Sequence, residues 1–252
     1  MVKIRVMPTL LHRDMGLVKG ERFDSWRRTG SALQAIKVYN MRGVDELVFM
    51  DITASPDGRP PDFDLIDDLA DECFMPMTVG GGVRDAEDIG RLLGVGADKV
   101  SLNSHALANP DIIAEGARTF GSQCIVLSID VLRGPDGRLE VMSHGGKRPT
   151  GKDPVEWAKR GADLGAGEIL LTSIDRDGTF QGYDIALAKA VAAAVDVPVI
   201  ASGGAGDYAH MADVLRQADV AAVAAASIFH FTEKTPAEAK KYLKKEGFNV
   251  RI

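Results

Sequence analysis

The sequence predicts an α/β protein: a single (βα)8 TIM barrel domain over residues 1–252, built from two duplicated half-barrels. Three observations carry that expectation. Eight short β-rich runs alternate with amphipathic stretches, and no long linker or low-complexity tract interrupts them. Motifs of the first half recur in the second at a spacing near 120 residues. A chain of 252 residues that is 45% hydrophobic and 26% charged can bury one large core, and it fits one barrel better than two ordinary domains.

The β-rich runs lie at 4–9, 46–51, 75–79, 99–102, 123–129, 168–172, 197–201 and 220–224. The segments between them read as helices, with apolar residues three and four apart: Leu33, Ile36 and Tyr39 in one, Val155, Ala158 and Ala162 in another. Such alternation favours a parallel sheet closed into a barrel over an open doubly wound sheet, which is the alternative topology. The repeat is explicit. MTVGGGVRD, ending at Asp85, recurs as VIASGGAGD, ending at Asp207, and VFMDIT around Asp51 is echoed by LTSIDRD around Asp175. Duplicated half-barrels produce two similar ligand sites about a pseudo-twofold axis, which implies a substrate with two similar ends. The alternative is duplication of the fold alone. The repeated parts are loop glycines rather than core residues, which favours the functional reading.

A formal charge of -6 and a pI near 5.4 leave no global basic field for a nucleic acid backbone, although a local basic patch can still hold phosphate. Cys73 and Cys124 stand far apart with no CxxC and no Cys/His cluster, so neither a disulfide framework, a metal site nor a cofactor is expected, and both read as buried apolar fillers. The opening residues, with Lys3 and Arg5 in a short apolar run, lack the apolar core and cleavage site of a signal peptide, and no stretch reaches transmembrane length. Cytoplasmic residence is the expectation.

Gly80, Gly81 and Gly82 follow one strand and precede a helix starting near Asp85; Gly203, Gly204 and Gly206 do the same before Asp207. Absent side chains let backbone N–H groups approach an oxyanion, and the following helix N-terminus adds partial positive charge. One glycine run alone is as easily a tight turn, but two at equivalent repeat positions read as a pair of phosphate cradles. The next strands end in Asn103-Ser104 and Ala226-Ser227, small groups beside each cradle. The fifth strand ends in Ser128-Ile129-Asp130, and a carboxylate at the C-terminal end of a barrel strand points to the substrate mouth. Asp130 reads as a general acid or base, or else as a cap of the following turn. Asp51, Asp175 and Asp177 are further candidates. Asp177-Gly178-Thr179 suggests a phosphate-contacting loop, and Asp51 is equally a structural anchor at its strand end.

The motifs LVKG at 17–20, DELVFMDITAS at 45–55, TVGGGVR at 78–84, ADKVSLNS at 97–104, GSQCIV at 121–126, GGKRPTG at 145–151, GAGEILLTSIDRDGT at 165–179 and VIASGGAG at 199–206 make the chain resemble, over essentially its whole length, the cyclase subunit of imidazole glycerol phosphate synthase. In that family, ammonia made by a separate glutaminase subunit crosses the barrel to a bisphosphorylated ribulosyl intermediate. It yields imidazole glycerol phosphate and an aminoimidazole carboxamide ribotide. The resemblance implies an ammonia-dependent lyase or cyclase, or an amidotransferase synthase subunit, in heterodimeric complex with a class I glutamine amidotransferase. It places phosphate contacts on Gly82, Asn103 and Ser104 at one end, and on Asp177, Gly178, Gly204, Ala226 and Ser227 at the other. Lys19 matches the lysine of the family's mobile first loop, and Asp130 matches its second catalytic aspartate. Arg5, Glu46, Lys99 and Glu168, at the starts of four strands, match the ammonia gate, and Asp98 matches a residue facing the partner. Without the resemblance, the same four charges read as a stabilising layer.

The family's first catalytic aspartate has no match. Its first strand ends in a Cys-Leu-Asp run, and here the same place reads Thr9-Leu10-Leu11. A leucine transfers no proton, and His12 or Asp14 could substitute only in a remodelled loop. The departure is similar to that of cyclase-like paralogues that act beside a glutaminase-like protein to form amidino groups on surface-polysaccharide amino sugars. Three functions follow as expectations: the histidine-pathway cyclase, an ammonia-dependent paralogue on another substrate, and a non-catalytic phosphate-binding activator of a glutaminase. A phosphosugar isomerase of related fold is weaker, because GGKRPTG and the charged floor argue against it.

Overall fold

The computed structural model describes residues 3–14 and 16–252. Eight parallel strands close into a barrel: β1 (Arg5–Arg13), β4 (Leu47–Asp51), β5 (Met77–Gly80), β6 (Lys99–Leu102), β7 (Ile125–Arg133), β10 (Glu168–Ser173), β11 (Val199–Ser202) and β12 (Ala222–Ala225). Closure comes from β7 pairing with β10 and from β12 pairing with β1. Four further strands form two antiparallel hairpins at the C-terminal face: β2 (Gly16–Glu21) with β3 (Asp24–Gly30) after β1, and β8 (Leu139–Ser143) with β9 (Arg148–Pro149) after β7.

The period-two alternation of each strand divides its side chains between two cores. Met7, Val48, Val126, Leu170, Ile200 and Ala222 fill the barrel interior. Val6, Leu10, Leu47 and Phe49 point outward against the helices. The helices are α1 (Ala32–Met41), α2 (Phe63–Ala70), α3 (Ala86–Gly94), α4 (Ser104–Ala108), α5 (Asp111–Phe120), α6 (Pro154–Asp163), α7 (Ile185–Ala192), α8 (Tyr208–Ala218), α9 (Ser227–His230) and α10 (Pro236–Lys245). Their starts repeat with the halves. Asp62 and Asp184 cap α2 and α7, accepting from Leu65 N and Leu187 N, and Asp85 and Asp207 cap α3 and α8.

Two expectations of detail are corrected. In α1 the buried face is Ala32, Ile36 and Tyr39, while Leu33 is exposed; in α6 it is Pro154, Trp157, Ala158 and Gly161 rather than Val155 and Ala162. Cys73 and Cys124 are half-buried free thiols near strand starts, not core fillers. Among the described residues no helix is long and apolar enough to cross a membrane.

Candidate active site

The C-terminal ends of the strands surround a cavity of about 390 Å³. On β1, residues 9 and 11 face it, whereas Leu10 and His12 face outward. The same alternation on β7 brings Ser128 and Asp130 inward, and on β10 Leu170 and Thr172. Most of the residues expected to bind substrate line this one space, though Gly80, Thr179 and Gly206 do not. Gly81, Gly82, Asn103 and Ser104 lie on the side of β5 and β6; Asp177, Gly178, Gly203, Gly204, Ala226 and Ser227 lie on the side of β10 to β12.

The glycine turns have the geometry that a cradle requires. Gly81 and Gly82 hold φ of 109° and 77°, and Gly203 and Gly204 hold 91° and 108°. A Cβ on Gly82 would lie 2.5 Å from the Arg59 carbonyl oxygen, and one on Gly204 would lie 2.2 Å from that of Gly182. These distances are sterically impossible, so both turns owe their path to missing side chains. A bulky residue at either position would therefore disturb the fold as well as any ligand held there.

Asp130 is half-buried at the inner wall of the cavity. Asn103 Nδ2 donates to its Oδ2 at 3.0 Å and to the Ser128 carbonyl at 3.2 Å, so the amide nitrogen is turned to the acid while Asn103 Oδ1 accepts from Ser104 Oγ at 3.3 Å. Burial and then the nearby charge of Asp177 raise the Asp130 carboxyl, the hydrogen bonds of Asn103 and Thr172 oppose them, and the result is a pKa of about 7. An acid so poised holds or releases a proton near neutrality. Thr172 escaped the sequence reading, although it stands beside Asp130 in the β7–β10 register.

Lys19 is 1% exposed and makes a direct ion pair with Asp177. The β2–β3 hairpin folds over the cavity and turns Lys19 inward. Burial raises the Asp177 carboxyl above its ordinary value, against the lowering influence of Lys19. Asp51 is the structural anchor. Its Oδ1 accepts from Thr53 N, Thr53 Oγ1 and Ala54 N, and its Oδ2 pairs with Arg59 at 3.1 Å. Asp175 accepts from Arg133 N at 2.8 Å and holds the β7 extension.

Neither suggested substitute for the absent aspartate stands near Asp130. The His12 ring packs on Phe49, outside the barrel, with centroids 5.6 Å apart. Asp14 sits at the exposed rim, 3.6 Å from Arg13. Leu11 itself faces the cavity.

At the opposite end of the barrel, four charges close a ring. Arg5 Nη1 meets Glu46 at 2.7 Å and its other nitrogen meets Glu168; Lys99 Nζ meets Glu46 at 2.7 Å and Glu168 at 2.9 Å. Thr78 donates to Glu46 at 3.0 Å. Burial alone would raise the Glu168 carboxyl, but its bonds to Arg5 and Lys99 bring it below its ordinary value. Asp98 is exposed beside the ring and accepts from Met77 N at 2.8 Å. Among the described residues no cluster of His, Cys, Asp and Glu can hold a metal ion.

A closed eight-stranded parallel barrel, repeated glycine turns at one mouth and a strand-end carboxylate between them are what a comparison with known families must explain. The model of one family, described as histidine biosynthesis protein, matches residues 5–235. Its members are barrel enzymes of histidine biosynthesis, and the match spans all eight barrel strands. The chain belongs to the histidine biosynthesis protein family.

Proposed function

We propose that the chain is a cyclase-type synthase subunit that uses ammonia, delivered by a glutaminase partner, on a phosphorylated small-molecule substrate. The observation that carries this reading is the axial order of the barrel: a closed ring of Arg5, Glu46, Lys99 and Glu168 at the floor, an apolar interior above it, and Asp130 at the cavity on top. Uncharged ammonia passes an apolar interior far more readily than an ion does. Asp130 takes up or returns the proton during addition to the substrate. The two glycine turns hold its anionic ends, and the β2–β3 hairpin with Lys19 excludes water above it.

A glutaminase at the floor is consistent with what that face exposes. Met41 and Phe74 are 80% and 82% exposed near the starts of β4 and β5, tied together through Asn40, which donates to the Glu72 carbonyl and accepts from Phe74 N. Large apolar side chains left in water beside a polar ring fit an interface better than a free surface.

Leu11 favours a specific version of this reading, the paralogue. A cyclisation that requires an acid and a base on opposite walls finds Asp130 on β7 and a leucine on β1. The substrate is then one whose amination needs a single carboxylate, such as an amino sugar, rather than the bisphosphorylated ribulosyl intermediate. The test is an assay of the purified chain with that intermediate and ammonium ion. Negligible turnover, with binding retained, is expected. Turnover of about 1 per second or more would return the chain to the histidine-pathway reaction. Stimulation of a glutaminase with no chemistry of its own would make it an activator.

A further inference from the structure

We infer that Lys147 is a second substrate-binding cation, the counterpart of Lys19, which serves the anionic group held at the Gly82 and Ser104 end of the cavity. The inference rests on the two-ended reading of the site and extends it from cradles to lids. The duplication of the barrel reaches further than its glycines. β1 and β7, the first strands of the two halves, are each followed by an antiparallel hairpin at the cavity mouth, β2–β3 and β8–β9.

Each hairpin clasps the opposite half. From the first, Arg22 N donates to the Asp177 carbonyl at 2.8 Å, and Gly20 O lies so close to Gly178 that a Cβ there would stand 2.4 Å away. From the second, His144 N donates to Ser104 Oγ at 2.9 Å, and a Cβ on Gly145 would lie 3.8 Å from Pro56. In the paired glycine turns Gly81 backs onto the Asp51 carbonyl and Gly203 onto that of Ser173, and counted from there Pro56 corresponds to Gly178. The hairpins also meet over the cavity, where Phe23 packs against Gly146.

The first hairpin brings one lysine to the cavity, and so does the second. His144, Gly145 and Gly146 hold φ of 53°, 65° and 78°, a left-handed run that ends at Lys147 and is closed by the Lys147 N to Ser143 carbonyl bond. The charge balance differs between the lysines. Lys19 is neutralised by Asp177, whereas Lys147 has no ion-pair partner among the described residues. The acids at its end of the cavity, Asp51 and Asp57, are both paired with Arg59. Lys147, exposed at the rim of the cavity on the side of Gly82 and Ser104, is an unneutralised cation beside backbone N–H groups that can hold an anion, and so a charge placed for a ligand.

Inorganic phosphate at low ionic strength is the probe, titrated calorimetrically into wild type, Lys147→Met, Lys19→Met, the double variant, Lys147→Arg, Ser104→Ala and Lys147→Met with Ser104→Ala. Wild type should bind two phosphates. Lys147→Met should weaken one of them by about tenfold, a typical loss for a charge-assisted hydrogen bond at a partly solvated site. Lys147→Arg should keep most of that affinity. Losses in the Lys19/Lys147 double variant should fall on different phosphates, whereas Lys147→Met and Ser104→Ala should be non-additive because they share one. Two phosphates bound by Lys147→Met as by wild type would overturn the inference alone. Loss of the same phosphate in both lysine variants would do the same. A wild type that binds fewer than two would overturn the two-ended reading along with it.

Discussion

Asp130 couples the chemistry of the site to its stability. Its carboxyl ordinarily titrates near 3.8 and is raised to about 7 by burial and by the charge of Asp177. The folded state therefore holds this proton more tightly than the unfolded chain. The resulting stabilisation is complete below about pH 4 and is lost as pH rises through about 7. Asp130→Asn keeps the shape and has no proton to lose. Its melting temperature relative to wild type should rise between pH 4 and pH 8, a trend that thermal denaturation across pH will show or refuse. The same substitution should cost about 10² to 10⁴ in turnover. If Asp130 acts as a base, wild-type kcat/KM should climb with pH through the same interval. A flat profile together with an unchanged rate in Asp130→Asn would remove it from the mechanism. Leu11 was legible as the departure because Thr9-Leu10-Leu11 stands where the resembling family has Cys-Leu-Asp, and residues 9 and 11 do face the cavity. The pKa of Asp130 was not legible, since it depends on Asn103 arriving from the end of β6 and on Thr172 and Asp177 from the end of β10.

At the scale of elements, the local signals were strong where one period persisted. All eight barrel strands overlap the runs read from the sequence, β1 and β7 running four residues further at their C-terminal ends, and the aspartate caps of α3 and α8 stand where the repeat put them. The hairpins β2–β3 and β8–β9 were missed. LVKG is buried along its whole length, and GGKRPTG is a left-handed turn running into a two-residue strand, so neither carries an apolar alternation. The α1 face was misread because Leu33 satisfies the helical spacing and yet sits on the solvent side. The glycine turns stand where the repeat placed them, and their intolerance of a side chain comes from neighbouring loops that the sequence does not show. Gly82→Ala must accept φ of 77° and a Cβ 2.5 Å from a backbone carbonyl oxygen, and Gly204→Ala a Cβ at 2.2 Å. Each should cost about 2 kcal/mol or more. Gly137, in the β7–β8 turn, has φ of 83° with nothing near its missing Cβ, so Gly137→Ala should cost only about 1 kcal/mol. Urea unfolding of the three variants checks the ranking, and equal losses would mean that backbone angle alone constrains the cradles.

Across the whole molecule the question is whether the floor ring is a stabilising layer or part of a route. Both roles predict damage when it is broken, so stability alone does not separate them. Lys99→Met leaves Glu46 and Glu168 with Arg5 as their one cation, a loss tempered by the 20% exposure of the lysine side chain. About 1 to 3 kcal/mol is the expected cost. Because the Glu168 carboxyl is held below its ordinary 4.5, the ring's contribution is full above that pH and disappears as pH falls through the lowered value. The wild-type advantage over Lys99→Met should therefore shrink in acid. The functional distinction needs two ammonia sources. Ammonium salt reaches the cavity from its open mouth among the hairpins, whereas ammonia released at a floor-bound glutaminase must pass between Arg5, Glu46, Lys99 and Glu168. If the ring is the entry, Lys99→Met changes the ratio of glutamine-driven to ammonium-driven product formation, and glutamine hydrolysis becomes uncoupled from product. If the ring only stabilises the barrel, both rates fall together with the folded fraction and their ratio stays at the wild-type value. That second outcome would detach the ring from ammonia use, while Asp130 and the two cradles would still stand as a phosphate-binding catalytic site.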